Sequence, residues 1–379
     1  TSWGKLGNQE IGLYPYQAMI SKVNSYPFDK NEMSSAYIQT AFVNRDIKWE
    51  TTTITDVGLD MLLWNKFNIT FDWYKKETDG ILRSAQVSAL LGMDAPTIND
   101  GTMQDKGIEL AFAWNDYTDT KLGGLDYNVG FYIDRTRNTL VNFGSTEKDG
   151  KVIREEGLPY DSYYMLDCIG IFATQEEIDN APKQYNDDTQ PGDLRYRDTN
   201  NDGVINDDDR ILISGKYPNF EYGLNAGLNW NGFDVSLLTQ GVAGTKSFID
   251  YRWGLAPFFQ GSAPTKDYVA GMWTEENPYN AKYPKIYFGT LGGTKNTRTN
   301  SYFLQNTSYF RLKNLTVGYT LPKVLTDKIH LQKVRFYFSG DNLLTFTKYE
   351  GLDPERSGDG TLTQYPQNRI CSIGVDVEF

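Results

Sequence analysis

From Cys371 to the carboxyl-terminal Phe379 every odd position is apolar, while the even positions hold Ser372, Gly374, Asp376 and Glu378. Period-two alternation of this kind makes a strand with one oily face and one wet face. Two environments satisfy such a strand. A soluble sandwich buries the oily face against a second sheet, whereas a membrane barrel turns it toward lipid and keeps the polar groups in its lumen.

The same alternation recurs upstream. Leu59, Met61 and Leu63 lead into a tight turn at Trp64-Asn65-Lys66, and Phe67, Ile69, Phe71 and Trp73 return. Ile108, Leu110, Phe112 and Trp114 are followed by Leu125, Tyr127, Val129, Phe131 and Ile133. The clearest hairpin alternates from Phe220 to Trp230, turns at Asn231-Gly232, and returns through Phe233, Val235 and Leu237. Asn-Gly is the dipeptide preferred by a two-residue type I′ turn. Leu315, Val317, Tyr319 and Leu321 are joined to Val334, Phe336 and Phe338 by a short Pro-containing link. With the terminal strand this predicts about nine strands.

Connection lengths are sorted. Short turns fall near 65, 119, 231 and 326, and long connections at 77–106, 135–218, 245–305 and 347–367. Outer-membrane barrels have short periplasmic turns and long extracellular loops; a soluble sandwich has no reason to sort its loops. Trp64, Trp73, Trp114, Trp230 and Phe233 mark strand ends, as interfacial aromatic girdles do. The expected fold class is therefore all-β, a portion of a transmembrane antiparallel barrel. Residues 1–53 form a lead-in segment and residues 54–379 the barrel part. Nine strands leave an open edge, which lipid does not tolerate. The missing partners are expected upstream of Thr1, on a longer precursor or a second chain.

Composition agrees. The 379 residues carry a net charge of −12, 14% aromatics and 35 Gly, which suits many short strands and turns. No apolar run approaches the ~18 residues of a membrane helix. The acidic balance argues against nucleic acid as a partner. Cys168 and Cys371 are the only cysteines, so no disulfide framework is expected, and Cys371 reads as a small apolar filler on the oily face. The opening Thr1-Ser2-Trp3 carries no signal peptide and reads as a fragment or a processed piece.

Within the longest loop, residues 198–209 have the spacing of a calcium loop. Asp198, Asn200 and Asp202 stand at positions one, three and five, Gly203 at the sharp turn, and Ile205 at the apolar anchor. Val204 would coordinate through its carbonyl, Asn206 directly or through water, and Asp209 would close the site where a Glu is usual. A structural Ca2+ ion is the expectation; an acidic, Asx-rich turn holding no ion is the alternative.

Lys48-Trp49-Glu50-Thr51 followed by Gly58-Leu59-Asp60 resembles the SusC/RagA type of TonB-dependent outer-membrane transporter. So do Gly170-Ile171-Phe172 before Thr174-Gln175-Glu176-Glu177-Ile178, Pro191-Gly192-Asp193, Tyr309-Phe310-Arg311-Leu312-Lys313-Asn314-Leu315 and Gly340-Asp341-Asn342-Leu343. The terminal strand ending in Phe379 is similar to the signal that barrel proteins present to their insertion machinery. The resemblance runs from about residue 45 to 379. It implies the carboxyl-terminal part of a barrel of about 22 strands in the complete protein. It also implies an amino-terminal plug, a TonB-contacting segment and a SusD-like surface lipoprotein, none of them visible in these residues.

Three functions compete. Nutrient import, of an oligosaccharide or a peptide, is what the resemblance implies. The loop aromatics Tyr160, Tyr163, Tyr164, Trp253, Phe258, Phe259, Trp273 and Tyr279 then offer faces for stacking on sugar rings, or else pack the loops together. A calcium-stabilised secreted glycan-binding module explains the Asp198 loop but not the sorted connections. Catalysis has little support: Glu155-Glu156, Glu176-Glu177 and Asp207-Asp208-Asp209 are adjacent carboxylates with nothing to set them across a substrate. His330 has no nucleophile partner in sequence, and Gly289-Thr290-Leu291-Gly292-Gly293 lacks a P-loop Lys-Ser/Thr.

Overall fold

The computed structural model describes residues 1–8, 10, 14–29, 32–120, 123–185, 188–249, 264–287, 296–356 and 365–379. Trp253, Phe258, Phe259 and the glycine-rich 289–293 stretch lie outside the described residues.

Alternating sequence has become a single wall. Ten strands form one sheet, each antiparallel to its neighbours. In chain order they are β1 (Ser2–Asn8), β2 (Glu50–Leu63), β3 (Phe67–Asp79), β4 (Thr102–Thr120), β5 (Gly123–Asn142), β6 (Phe220–Trp230), β7 (Phe233–Ala243), β8 (Tyr309–Thr320), β9 (Lys333–Thr347) and β10 (Ile370–Glu378). Strand order in space follows order in the chain.

Turn chemistry sets the hairpins. Trp64 and Asn65 take φ of 53° and 54°, and Asn231 and Gly232 take 48° and 83°. Positive φ at both central residues is what a type I′ turn requires, and its twist matches the strands it joins. Between β8 and β9 the link runs through two short helical turns, Lys323–Thr326 and Asp327–Ile329. The long connections now span 80–101, 143–219, 244–308 and 348–369, all at the opposite end of the wall from the short turns.

The register aligns the apolar sets of separate strands into continuous rows. One row passes through Leu63, Phe67, Trp114, Val129, Ala226, Leu237, Leu315, Gly340 and Cys371 on β2 to β10. The opposite face is polar: Ser236, Thr316, Ser339 and Ser372 are partners in sequence across β7 to β10. Among the described residues no second sheet covers the oily face. Phe336, Val375 and Val377 stay 48%, 51% and 43% exposed, so they do not share a dry centre. No described helix is long and apolar enough to cross a membrane.

The expected nine strands become ten. Ser2–Asn8 pairs along its whole length with Glu50–Asp56. Trp3 and Leu6 are separated by Gly4 and Lys5, so this strand carries no period-two signal. Residues Ile20–Asp29 and Glu32–Gln39 form a hairpin of their own. The ten-strand sheet is still open, since its outer strands β1 and β10 do not pair with each other.

The loops after β5 and β7 build a compact body of their own. Glu147–Asp149, Val152–Arg154, Ser162–Leu166 and Arg210–Ser214 make a four-stranded sheet. Its core joins Val152, Tyr163, Met165, Leu166 and Ile205 to Phe248 and Phe303 of the next long loop. Burying each such side chain contributes about 1.5–3 kcal/mol, enough to hold the loops as shaped structure.

Candidate functional site

Inward-facing residues near the long-loop end are where wall and loops meet. Asp72, Glu109, Asp134 and Glu221, on β3 to β6, are register partners one after another, a ladder of four carboxylates on the polar face. The loop segment Lys216–Asn219 immediately precedes β6. Tyr217 of that segment lines three adjoining cavities, of about 340, 270 and 380 Å³. One is walled by Thr136, Asn138 and Pro159, the next by Met103, Asp105, Asp134 and Glu221, and the third by Asp161, Lys246, Tyr309 and Glu355. Tyr217 is 49% exposed and is shared by all three cavity linings. Burial, followed by the charge of Asp161, pushes its phenol above the ordinary range, so it stays a neutral hydrogen-bond donor.

The cleft's polar rim is held in place. Asn138 donates to Asp105 at 2.6 Å and accepts from the Tyr160 amide at 2.7 Å. Asp161 accepts from Arg154 Nε at 2.6 Å, and the Arg154 guanidinium lies 5.1 Å from the centre of the Tyr160 ring. On the far side, Arg311 donates to Asp353 and Glu355 at 2.7 Å each and to Thr345 at 2.9 Å. Lys313 adds bonds of 2.9 and 2.8 Å to Glu355. These side chains are why the Arg311–Lys313 motif stands where it does: it fastens the last long loop to the wall.

The aromatics proposed from sequence fare differently. Tyr163 is wholly buried in the loop core with its hydroxyl on the Lys246 carbonyl, so it has no face for a ligand; the expectation for this residue is corrected. Tyr160 stands beside the cleft through Asn138. Tyr164 packs under Lys148, whose Nζ is 5.0 Å from the ring centre. Trp273 donates to the Ala173 carbonyl at 3.2 Å and lies against Gly192, whose φ of +95° and crowded Cβ position leave no room for a side chain. Tyr279 is 74% exposed. Tyr217 was not singled out in the sequence; its signal is an aromatic flanked by Lys216 and Pro218 at the mouth of a strand.

Local motifs are structural. Thr174 caps the helix Gln175–Asp179 by accepting from the Glu177 amide at 3.3 Å, and Glu177 accepts from Ala173 N at 2.7 Å. Asp193 is 1% exposed and gathers Tyr287, Asn296 and the Gln190 amide.

In the 198–209 loop the carboxylates of Asp198, Asp202 and Asp209 and the Asn206 carboxamide already hold backbone. Asp198 accepts from Asn201 and Gly203, Asp202 from Val204, and Asn206 from Asp208. Asp209 is fully buried and accepts from the Thr199 and Asn206 amides at 2.8 and 2.9 Å. Among the described residues no three His, Cys, Asp or Glu side chains converge as a metal-holding group. The turn itself has calcium-loop form: Gly203 has φ +83°, and Ile205 is buried. Lys183 and Tyr185 bind the Gly203 and Ile205 carbonyls, which leaves the intervening Val204 carbonyl on the loop side.

A lipid-facing apolar band, a polar inner face and long loops at one end define an outer-membrane β-barrel wall. No protein-family model matches the chain. TonB-dependent receptor P3 of Formosa agariphila is 28% identical over 407 residues, covering 100% of the chain and 39% of that receptor. TonB-dependent receptor SusC of Bacteroides thetaiotaomicron is 23% identical, again over 100% of the chain and 37% of the relative. Among solved structures, that of the RagAB peptide transporter matches with a TM-score of 0.77 at 22% identity, over 100% of this chain and 40% of that one. The chain is thus similar along its whole length to a stretch of TonB-dependent receptor barrel, and its place is the outer membrane. The likeness extends to SusC in sequence and to RagAB in fold. It spans about two fifths of the length of the curated relatives it matches.

Proposed function

We propose that this chain forms part of the wall of a transporter that imports a nutrient, an oligosaccharide or a peptide, across the outer membrane. The energy comes through TonB, and a SusD-like surface lipoprotein is the partner at the long-loop end. A plug and further barrel strands belong to the same transporter, and the barrel insertion machinery reads its terminal strand. The role is binding and passage, not catalysis; the relatives are named receptors.

The observation that supports this reading best is the Tyr217 cleft. It opens on the polar face, at the end of the wall where substrate arrives, with a half-exposed aromatic ring above fixed carboxylates and amides. Ligand sites combine apolar surface with a few placed polar groups in this way. Tyr160, Tyr164 and Trp273 extend the aromatic surface. A structural calcium ion on Asp198, Asn200, Asp202, Val204, Asn206 and Asp209 stiffens the loop body. Binding it requires Asp209 to share its carboxylate between the ion and the two amides it now holds.

Deleting the gene and measuring uptake of labelled oligosaccharides and peptides tests the class. Loss of uptake of at least one substrate, matched by loss in a TonB-deficient strain, is expected. Unchanged uptake of every compound tried would refute it.

A further inference from the structure

The outward face carries a feature that import does not use. Lys75, Lys106 and Arg137, on β3, β4 and β5, are register partners in a row. Their side chains point outward with Trp73 and Ile108, which are themselves partners one row nearer the short turns, beside Arg135. Directly opposed residues hold their Cβ atoms about 4.5–5.5 Å apart, and like charges there repel. Glu77 neutralises Lys75 at 2.7 Å. Asp79, one outward row beyond Glu77, accepts a hydrogen bond from Thr102. Among the described residues no ion pair involves Lys106, Arg135 or Arg137, and all three are exposed. The Arg135 guanidinium lies 5.3 Å from the Phe220 ring centre. A groove of about 460 Å³ runs between them, lined by Trp73, Gln104, Lys106, Ile108, Arg135 and Arg137.

Depth in the membrane decides what fills it. Phe67 and Trp114 mark the lower aromatic level, and Lys75 and Lys106 each lie eight residues away along their strands. At roughly 3.3 Å per residue and a tilt of roughly 40°, that is about 20 Å up the membrane normal, near the top of an apolar band roughly 25 Å tall. Every outward residue of β3 and β4 between these levels is apolar: Ile69, Phe71 and Trp73, with Phe112, Leu110 and Ile108. The cations therefore begin where hydrocarbon ends, on the side of the long loops.

We propose that this groove binds the phosphate of an outer-leaflet lipid headgroup, with Lys106, Arg137 and Arg135 as its ligands and Trp73 against the first acyl methylenes. Arg forks and Lys ammoniums are the side chains that take phosphate. A soluble anion would meet the same chemistry, but the groove opens sideways at headgroup depth, which assigns it to lipid.

The test uses the native protein in nanodiscs, with diphosphorylated lipid A, the same lipid dephosphorylated, and inorganic phosphate as probes, read by native mass spectrometry. Wild-type protein should retain the phosphorylated lipid at least tenfold better than the dephosphorylated form. The double variant Lys106→Gln/Arg137→Gln should lose that preference, while Arg137→Lys keeps it. Heat-modifiable gel migration checks that each variant is folded; should the double variant not fold, the wild-type preference must fall as salt rises. Equal retention of both lipids by the wild type, an unchanged preference in the folded double variant, or displacement of the lipid by equimolar inorganic phosphate would overturn the proposal.

Discussion

Arg311 shows how much one side chain can hold. Its guanidinium is 4% exposed and spans Thr345 on β9 and Asp353 and Glu355 on the last long loop. Removing one partner of a buried pair strands the other, at a cost of about 3–5 kcal/mol. Arg311→Ala should therefore free the 348–369 loop, seen as faster cleavage there in limited proteolysis of an otherwise heat-modifiable barrel. The loop should also respond to acid. Burial raises the Asp353 carboxyl, but the Arg311 bond and the Gln367 and Glu355 amides outweigh it and leave it below the ordinary carboxylate range. A depressed carboxylate stabilises the fold above its unfolded pKa and ceases to do so as pH falls through the folded value. Proteolysis of this loop should stay slow through neutral and mildly acidic pH and quicken only below the usual carboxylate range. At the Asp198 loop, calcium should raise the midpoint of thermal unfolding relative to chelator, and Asp198→Ala should abolish the difference; equal midpoints in the wild type would remove the ion from the account.

Among the elements, the strands that cross hydrocarbon were legible in the sequence and their extensions were not. Phe67 to Trp73 alternates because only one face meets lipid; from Lys75 to Asp79 both faces meet water, so the signal vanishes while the ladder continues to Thr102. The same reason hid Thr102–Lys106 and Arg135–Asn142. Strand β1, with two glycines and no alternation, left nothing to read. Hairpin turns were legible because Asn231-Gly232 demands positive φ, as found. The site was only half legible: aromatic loop residues look alike in sequence whether they build the loop core, as Tyr163 does, or stand at its rim, as Tyr217 does. Strand β10 offers a direct measure of its surroundings. Val375→Arg should destabilise the folded barrel by about 2–4 kcal/mol, the cost of a cation near the bilayer midplane. Denaturant titration in lipid vesicles measures it, with Ser372→Arg on the polar face costing much less.

For the whole molecule, the division of labour is spatial. The wall's rows face hydrocarbon, its polar face and the cleft at Tyr217 face water, and the long loops pack into a body at one end. All of this depends on which side of the sheet is wet. Single-cysteine spin labels at Phe336, Val375, Thr316 and Ser339, placed in the native protein after Cys168 and Cys371 are replaced by serine and alanine, report it in reconstituted membranes. Labels at 336 and 375 should be relaxed by oxygen dissolved in the lipid and spared by an aqueous nickel chelate, with the reverse at 316 and 339. Nickel contact at 336 and 375 equal to that at 316 and 339 would contradict a lipid-facing wall.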